Sequence, residues 1–178
     1  PIFSFIATAA SIAHVGAIPV FVDVKDDLNI DEDLIEKKIT KKTKAIIPVH
    51  WTGRMCNMKK IKQIAEKYKL IIIEDAAQAH GARFNGKRCC SIGHAAGTSF
   101  YPGKNLSAMG DAGAVTGRLE LIERIRMLKD HGRKEKYRHE IMGWNERLDG
   151  MQAAVVSAKI PFLNTWNSKR QLHAAMYL

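Results

Sequence analysis

Short apolar runs alternate with amphipathic segments along much of the chain. Continuous apolar runs predict strands, and apolar residues recurring at every third or fourth position predict helices. The predicted strands cover residues 1–5 (the end of a strand), 18–22, 45–49, 70–73, 95–100 and 113–116, and the predicted helices cover residues 7–16, 31–39, 58–68 and 119–130. This alternation predicts an α/β fold whose mostly parallel sheet is layered between helices.

Four segments add detail to this pattern. The run from Leu70 to Ile73 is apolar at every position, so this strand is expected to be buried on both faces of the sheet. The pair Asn85-Gly86 predicts a tight hairpin. From His131 to Gly150 the sequence is polar and predicts a loop, and residues 150–178 predict a helix.

Three predicted strands end in polar, chemically useful side chains. His50-Trp51, Asp75 and the segment from Ser99 to Lys104 each lie at the carboxyl end of a strand. Ligands of parallel sheets gather at the carboxyl ends of the strands. We therefore expect these three ends to converge on one crevice.

Lys104 and Asp75 are a candidate pair for Schiff-base chemistry on a pyridine cofactor. A lysine amine can hold the cofactor's aldehyde, and an ionised carboxylate beside the ring nitrogen favours the protonated ring. Gln78 lies three residues after Asp75, one helical turn on, and the Ser99 hydroxyl suits a phosphate. Taken singly, Lys104, Asp75 and Ser99 have plainer interpretations: a surface-turn lysine, a helix cap and a polar residue that closes a strand.

Composition and charge argue against several other classes of protein. The chain has 178 residues, 46% of them hydrophobic and 26% charged, which suits one soluble globular domain. The net charge is +10, but acids precede the densest basic run, Lys37 to Lys44, so a solvated helix end is the simpler interpretation than a nucleic-acid surface. The apolar start predicts neither a signal peptide nor a membrane span, because His14, Gly16 and Pro19 interrupt it.

Other catalytic motifs are absent, and the cysteines suggest a reducing compartment. The sequence contains no G-x-S-x-G elbow, no G-x-G-x-x-G fingerprint and no P-loop. Cys56, Cys89 and Cys90 lack the spacing of zinc ligands, which favours reduced thiols in a cytoplasmic protein without a metal site.

Four motifs carry a resemblance to a known family. They are E-D-A-A-Q-A-H-G at 74–81, S-F-Y-P-G-K-N-L at 99–106, G-D-A-G-A-V at 110–115 and G-W-N-E-R-L-D at 143–149. In this combination and order, the chain resembles the DegT/DnrJ/EryC1/StrS family of pyridoxal-phosphate-dependent nucleotide-sugar aminotransferases. The resemblance implies an aspartate-aminotransferase-like fold of type I, with residues 1–178 as part of its cofactor-binding large domain.

The resemblance also implies a role for each matching residue. Lys104 matches the catalytic lysine that binds pyridoxal 5′-phosphate covalently, Asp75 the partner of the pyridine nitrogen and Gln78 the residue near the ring hydroxyl. Ser99 matches a phosphate ligand, and Phe5 matches the aromatic residue that stacks on the ring. Relatives that remove oxygen carry histidine in place of Lys104, so the lysine favours transamination.

Further roles are implied at the substrate and at a neighbouring subunit. Asn145 matches an asparagine that reaches the cofactor phosphate of the neighbouring subunit, which implies a homodimer with shared active sites. Tyr101 and His139 are candidates for contacting the nucleotide-diphosphate sugar. The implied reaction, part of amino-sugar biosynthesis, moves the amino group of an amino-acid donor, by family analogy L-glutamate, to a nucleotide-linked keto sugar.

The chain is expected to lack two parts of the family fold. These are the phosphate-binding turn and helix that precede the Phe5 strand, and the small domain that follows Leu178. Residues 132–178 are then the loop and helices that lead toward the small domain. The alternative hypothesis is a non-catalytic module that retains the fold for ligand binding or oligomerisation.

Overall fold

The computed structural model describes residues 1–177. The chain divides into two units: the first unit is Pro1–Thr98, and the second unit begins at Ser99. The helices are α1 (Ile6–His14), α2 (Glu32–Lys38), α3 (Met58–Tyr68), α4 (Leu119–Leu128), α5 (Gly150–Lys159) and α6 (Leu163–Ala175). The strands are β1 (Ala45–Ile46), β2 (Ile71–Asp75), β3 (Arg83–Phe84), β4 (Lys87–Arg88), β5 (Ala95–Ser99), β6 (Gly113–Gly117), β7 (Arg133–Glu135) and β8 (Arg138–His139).

Parallel strands in the first unit confirm the predicted α/β architecture. β1 and β5 flank β2, and both pairs are parallel. Beyond the end of β1, a parallel bridge joins Val49 to Asp75, and Pro48, which has no backbone N–H, precedes this bridge. Asp75 therefore lies between Val49 and its β5 partner Gly97, at the carboxyl end of the central strand. The predicted Asn85-Gly86 hairpin is also confirmed, between β3 and β4.

The core of the first unit joins this sheet to α2 and α3. α3 is amphipathic as predicted, and it begins after Asn57, whose side chain accepts a hydrogen bond from the Lys60 N–H. Asp31 caps α2 by accepting the Asp33 N–H at 2.9 Å. The buried cluster comprises Val22, Ile30, Ile35, Ile46, Met55, Cys56, Met58, Ile61, Ile64, Ala65, Leu70 and Ile72.

Three expectations for the strands of the first unit are wrong. The structure describes all of Pro1–Thr98, and within it residues 1–5 and 18–22 form no strand. A single backbone hydrogen bond of 2.8 Å, from the Ile2 N–H to the Val22 carbonyl, does connect these two segments. β2 is not buried on both faces, since Ile71 and Ile73 are 45% and 36% exposed. An apolar run predicts apolar side chains on both faces of a strand, but burial depends on what covers each face.

The second unit contains β6 and α4, as predicted, followed by a hairpin and further helices. β7 and β8 form a short antiparallel hairpin within the predicted loop, and Tyr137 occupies its turn at φ 77°. The single helix predicted for residues 150–178 is instead α5, a 3-10 turn (Ile160–Phe162) and α6, because Pro161 cannot donate a helical hydrogen bond. Leu178, the end of that predicted helix, lies outside the described residues.

Two kinds of feature are absent from residues 1–177. No helix there is long and apolar enough to cross a membrane. No group of three or more His, Cys, Asp or Glu side chains in that range is placed to hold a metal ion.

A tightly packed glycine in the second unit yields a prediction about stability. Gly132 has φ +72°, and a Cβ at this position would overlap the Ile141 carbonyl oxygen. Gly132→Ala should therefore lower the free energy of unfolding by about 2 kcal/mol or more, because the methyl group fits neither the backbone conformation nor the space. Urea denaturation followed by circular dichroism measures the change.

The matched control for this substitution is Gly150→Ala in the same unit. Apart from the adjacent residues and the backbone of α5 itself, no atom of residues 1–177 lies within 4 Å of a Cβ added to Gly150. This variant should be as stable as the natural protein or slightly more stable. Equal stability of the Gly132 and Gly150 variants would contradict the packing described for Gly132.

Candidate active site

The Glu74 carboxylate is buried near the carboxyl end of β2 and accepts four hydrogen bonds. Its Oε1 accepts the backbone N–H groups of Ile92 at 2.8 Å and Gly93 at 2.6 Å. Its Oε2 accepts the Cys90 N–H at 3.1 Å and the His50 ring N–H at 3.1 Å. The carboxylate thereby ties the end of β2 to the segment that leads into β5.

His50 supports this carboxylate from the end of β1. Its Nδ1 accepts the Cys56 N–H at 3.3 Å, so the ring proton lies on Nε2 and is donated to Glu74. The expectation that the His50 side chain reaches a ligand crevice is wrong, because His50 is 0% exposed. The strand predicted over residues 45–49 ends at Ile46 in the structure, with an isolated bridge at Val49, and the sequence pattern did not show which way the His50 ring turns.

The electrostatics of Glu74 favour its charged form. Burial alone would raise the pKa of this carboxyl group, but hydrogen bonds from His50, Gly93 and Ile92 outweigh burial and lower the pKa. Glu74 is therefore an ionised acceptor that holds its donors in place.

The Asp75 side chain follows Glu74 and, by the alternation of a strand, lies on the opposite face of β2. Its Oδ1 accepts the Ala77 N–H at 3.2 Å, and its Oδ2 accepts the Thr8 hydroxyl at 2.7 Å. Its backbone carbonyl accepts the His50 N–H at 3.0 Å. Donors from two different elements thus hold the half-buried carboxylate in one orientation.

Sequence analysis missed two residues beside Asp75: Thr8, which contacts its carboxylate, and Ser4, which contacts Thr8. The hydroxyl oxygens of Ser4 and Thr8 lie 2.7 Å apart, and Thr8 precedes its partner Asp75 by 67 residues. Periodicity identifies the apolar face of a helix, but it gives no signal for a hydroxyl that contacts a remote carboxylate. No local pattern would have identified this pair.

Gln78 lies in a turn after β2, and the helix assumed between Asp75 and Gln78 is absent from the described chain. The turn is closed by a hydrogen bond of 3.0 Å from the Ala79 N–H to the Ala76 carbonyl. The Gln78 Nε2 donates to the Trp51 carbonyl at 2.9 Å. This bond orients the Gln78 amide and joins the turn to the loop that follows His50.

Phe5 immediately precedes α1, and its side chain is largely exposed at 69%. The neighbouring Phe3 instead packs edge-on against Trp51, with ring centroids 5.1 Å apart. Phe5 is therefore not part of the buried core of the first unit. Its ring face remains available to a ligand.

Ser99 is the last residue of β5, and Tyr101 and Lys104 lie in the loop that follows it in the second unit. The Ser99 Oγ accepts the Tyr101 N–H at 3.2 Å, and the Tyr101 carbonyl accepts the Lys104 N–H at 2.8 Å. Pro102 occupies the second position of this tight turn, where its fixed φ is favoured. Lys104 is half-buried, and its Nζ has no hydrogen-bond or ion-pair partner among residues 1–177.

Side chains of α5 hold the continuation of this loop, and sequence analysis did not predict them. The Gln152 Oε1 accepts the Met109 N–H at 2.9 Å, and the Lys159 Nζ donates to the Ser107 carbonyl at 2.8 Å. An apolar cluster adds to this contact; its buried members are Leu106, Ala108 and Val156. The loop is therefore anchored on its C-terminal side.

Asn145 and His139 lie near the β7–β8 hairpin rather than in the Lys104 loop. The His139 Nδ1 donates to the His131 carbonyl at 2.9 Å. Asn145 forms a backbone bridge with Asp130, and its Oδ1 accepts the Arg147 Nε–H at 3.1 Å. Both side chains are exposed, and their roles at a ligand stay predictions.

Comparison with known proteins gives a match over the whole chain. The sequence profile of the DegT/DnrJ/EryC1/StrS aminotransferase family matches residues 1–178. The structure is similar to the X-ray structure of Streptomyces venezuelae DesV in complex with a ketimine intermediate, with a TM-score of 0.97 and 46% identity over 100% of this chain and 48% of DesV.

Two curated relatives show the same partial coverage. A pleiotropic regulatory protein of Geobacillus stearothermophilus is 51% identical over 177 residues, which are 98% of this chain and 48% of the relative. A dTDP-3-amino-3,4,6-trideoxy-alpha-D-glucose transaminase of Streptomyces venezuelae is 46% identical over 180 residues, 100% of this chain and 48% of the relative. The chain thus spans about half the length of the curated relatives it matches.

The buried carboxylate yields a prediction about the first unit. Glu74→Gln should lower the free energy of unfolding by about 2 kcal/mol or more, because the new amide would direct its own N–H groups at donors that need an acceptor. Glu66→Gln, at an exposed position of α3, is the control and should change stability by less than about 0.5 kcal/mol. Urea denaturation measures both variants.

The pH dependence of the stability difference between the natural protein and Glu74→Gln tests the charge of Glu74. Because its folded-state pKa lies below the ordinary value of 4.5, its stabilising effect is complete above that pH and is lost as the pH falls through the folded-state pKa. The stability difference between the natural protein and Glu74→Gln should therefore shrink on acidification below about pH 4.5. A difference that stays constant down to the acid-unfolding limit would contradict an ionised Glu74.

Proposed function

Because this chain belongs to the DegT/DnrJ/EryC1/StrS aminotransferase family, we propose that the full-length protein is a pyridoxal 5′-phosphate-dependent transaminase of a nucleotide-linked keto sugar. The observation that carries the proposal is the oriented Asp75 carboxylate at the end of a parallel strand, in a chain that retains Lys104. The name of the S. venezuelae relative supports the substrate class. The amino donor that we propose is L-glutamate, by analogy with the family.

The first unit supplies groups that fit the ring of the cofactor. The Asp75 carboxylate keeps unused lone pairs after accepting its two donors, so it can accept the ring N–H. The largely exposed Phe5 ring suits stacking on the pyridine face. Gln78, fixed by its bond to the Trp51 carbonyl, is proposed to lie beside the ring hydroxyl.

The second unit supplies groups that fit the aldehyde and the phosphate. The Lys104 Nζ, without a partner among the described residues, suits a covalent bond to the aldehyde carbon. The Ser99 Oγ uses a lone pair to accept the Tyr101 N–H, so its own proton remains for a phosphate oxygen. These donor types match those that pyridoxal phosphate requires.

The proposed chemistry divides between the cofactor and the chain. When bound, pyridoxal phosphate supplies a sink for the electrons of a carbanion. The Asp75 carboxylate stabilises the protonated ring nitrogen, which strengthens the sink. With the amino donor in its place, the Lys104 Nζ would move the proton from the donor's amino-bearing carbon to the exocyclic carbon of the cofactor, and in the second half-reaction from that exocyclic carbon to the sugar carbon that receives the nitrogen.

We further propose the wider architecture that the family resemblance implies. Residues 1–178 form part of the large domain of a type I fold, and residues 132–178 lead toward its small domain. Asn145 reaches the cofactor phosphate of a second subunit in a homodimer, and Tyr101 and His139 contact the nucleotide sugar. The net charge of +10 favours a diphosphate substrate, and the thiols of Cys56, Cys89 and Cys90, which form no disulfide among residues 1–177, suit the reducing cytoplasm.

One finding favours a second candidate function. The relative with 51% identity is named a pleiotropic regulatory protein, which is not the name of an enzyme. A regulatory member would retain the fold for ligand binding or oligomerisation without turnover. Both candidates predict cofactor binding, but only the first predicts amino transfer.

Covalent trapping of the cofactor tests the proposed role of Lys104. Full-length protein is incubated with pyridoxal phosphate, reduced with borohydride and digested, and the labelled lysine is identified by mass spectrometry. In the natural protein we expect the label on Lys104, and in the Lys104→Arg variant we expect no label at position 104. The control Lys87→Arg alters an exposed lysine of β4 and should leave the labelling of Lys104 unchanged. Transamination of dTDP- and UDP-linked keto sugars should fall at least about 100-fold in Lys104→Arg.

The outcomes separate the two candidates. Labelled Lys104 together with amino transfer supports the transaminase. Labelled Lys104 without amino transfer to any keto sugar of the panel supports the non-catalytic module. Absence of label from Lys104 in folded protein contradicts the proposed cofactor role.

A further inference from the structure

The Thr8 hydroxyl is the shortest polar contact of the Asp75 carboxylate, at 2.7 Å from Oδ2. We propose that Thr8 is a positioning residue that holds Asp75 for the ring nitrogen of the cofactor, and that Ser4 in turn orients Thr8. This inference rests on the proposed function and assigns a role to two side chains outside the residues named there.

The direction of the hydrogen bonds follows from the donors available. A threonine hydroxyl has one proton, and Thr8 donates it to Asp75. The contact of 2.7 Å between the Ser4 and Thr8 oxygens must therefore use the proton of Ser4. The Ser4 hydroxyl therefore donates to the Thr8 hydroxyl, which in turn donates to the Asp75 carboxylate.

Hydrogen bonds from Thr8 and Ala77 hold both oxygens of the Asp75 carboxylate and so fix the plane of the group. The Ala77 N–H holds Oδ1 at 3.2 Å from the turn after β2, whereas Thr8 holds Oδ2 from α1. Two donors on two elements prevent rotation of the carboxylate plane. The Thr8 contact is the shorter of the two, at 2.7 Å against 3.2 Å, so it is the greater constraint.

A purely structural role for Thr8 is the competing explanation. α1 has no buried residue, so the bond to Asp75 also fastens this helix to the end of β2. Loss of that bond would then loosen the helix whatever the ligand. The two roles differ in one respect: only the positioning role depends on the ring nitrogen of the cofactor.

The experiment compares two cofactors in full-length protein. Binding of pyridoxal phosphate and of its 1-deaza analogue, which has a carbon in place of the ring nitrogen, is measured by fluorescence titration. Thr8→Val should weaken pyridoxal phosphate binding about tenfold, Thr8→Ser should restore it to within about twofold, and Ser4→Ala should cause a smaller loss than Thr8→Val. All variants should bind the deaza analogue within about twofold of the natural protein.

Ser11→Ala is the matched control, because the Ser11 hydroxyl lies on the same helix and, within residues 1–177, donates its hydrogen bond to the Thr8 carbonyl at 2.9 Å and not to Asp75. It should bind both cofactors as the natural protein does. Circular dichroism verifies folding, and Thr8→Ala replaces Thr8→Val if the latter is unfolded.

The results distinguish each way in which the inference can fail. Equal weakening of both cofactors in Thr8→Val makes Thr8 structural and overturns the inference. Unchanged pyridoxal phosphate binding in Thr8→Val also overturns it, while the proposed function stands. Failure of the natural protein to bind pyridoxal phosphate at all overturns the proposed function, and this inference with it.

Discussion

The buried Glu74 carboxylate is the constraint on which the order of the first unit depends. An ionised acceptor removed from water is tolerated only when its oxygens are hydrogen-bonded, and Glu74 meets this condition with the His50 ring and three backbone N–H groups. Those donors come from the end of β1 and from the segment before β5. One side chain therefore fixes where three strands of a parallel sheet lie relative to one another.

Two adjacent carboxylates at the end of β2 have different tasks. Glu74 lies inward at 1% exposure and is fully used by the protein, whereas Asp75 is half-buried and keeps lone pairs for a ligand. The alternation of a strand separates the two side chains onto opposite faces. A rigid strand end thus presents Asp75, and the proposed chain from Ser4 through Thr8 sets its orientation.

Sequence analysis succeeded where structure is determined locally and failed where it depends on remote contacts. The Asn85-Gly86 hairpin, the apolar face of α3 and the alternation of strands and helices are local signals, and all three are confirmed. The exposed face of β2 and the inward turn of His50 depend on what lies across the sheet, which no local pattern encodes. The contact between Thr8 and Asp75 is of the same remote kind, whereas the family motifs identified Asp75 itself.

The central claim is that Asp75, held by Thr8 beside the Glu74 network, is placed for the ring nitrogen of pyridoxal phosphate. The most direct measurement is a crystal structure of the full-length protein grown with the cofactor. The expected result is an Asp75 carboxylate oxygen about 2.7–2.9 Å from the ring nitrogen, with the Thr8 hydroxyl still on the same carboxylate. A bound cofactor whose ring nitrogen contacts another residue, or faces solvent, would contradict the claim.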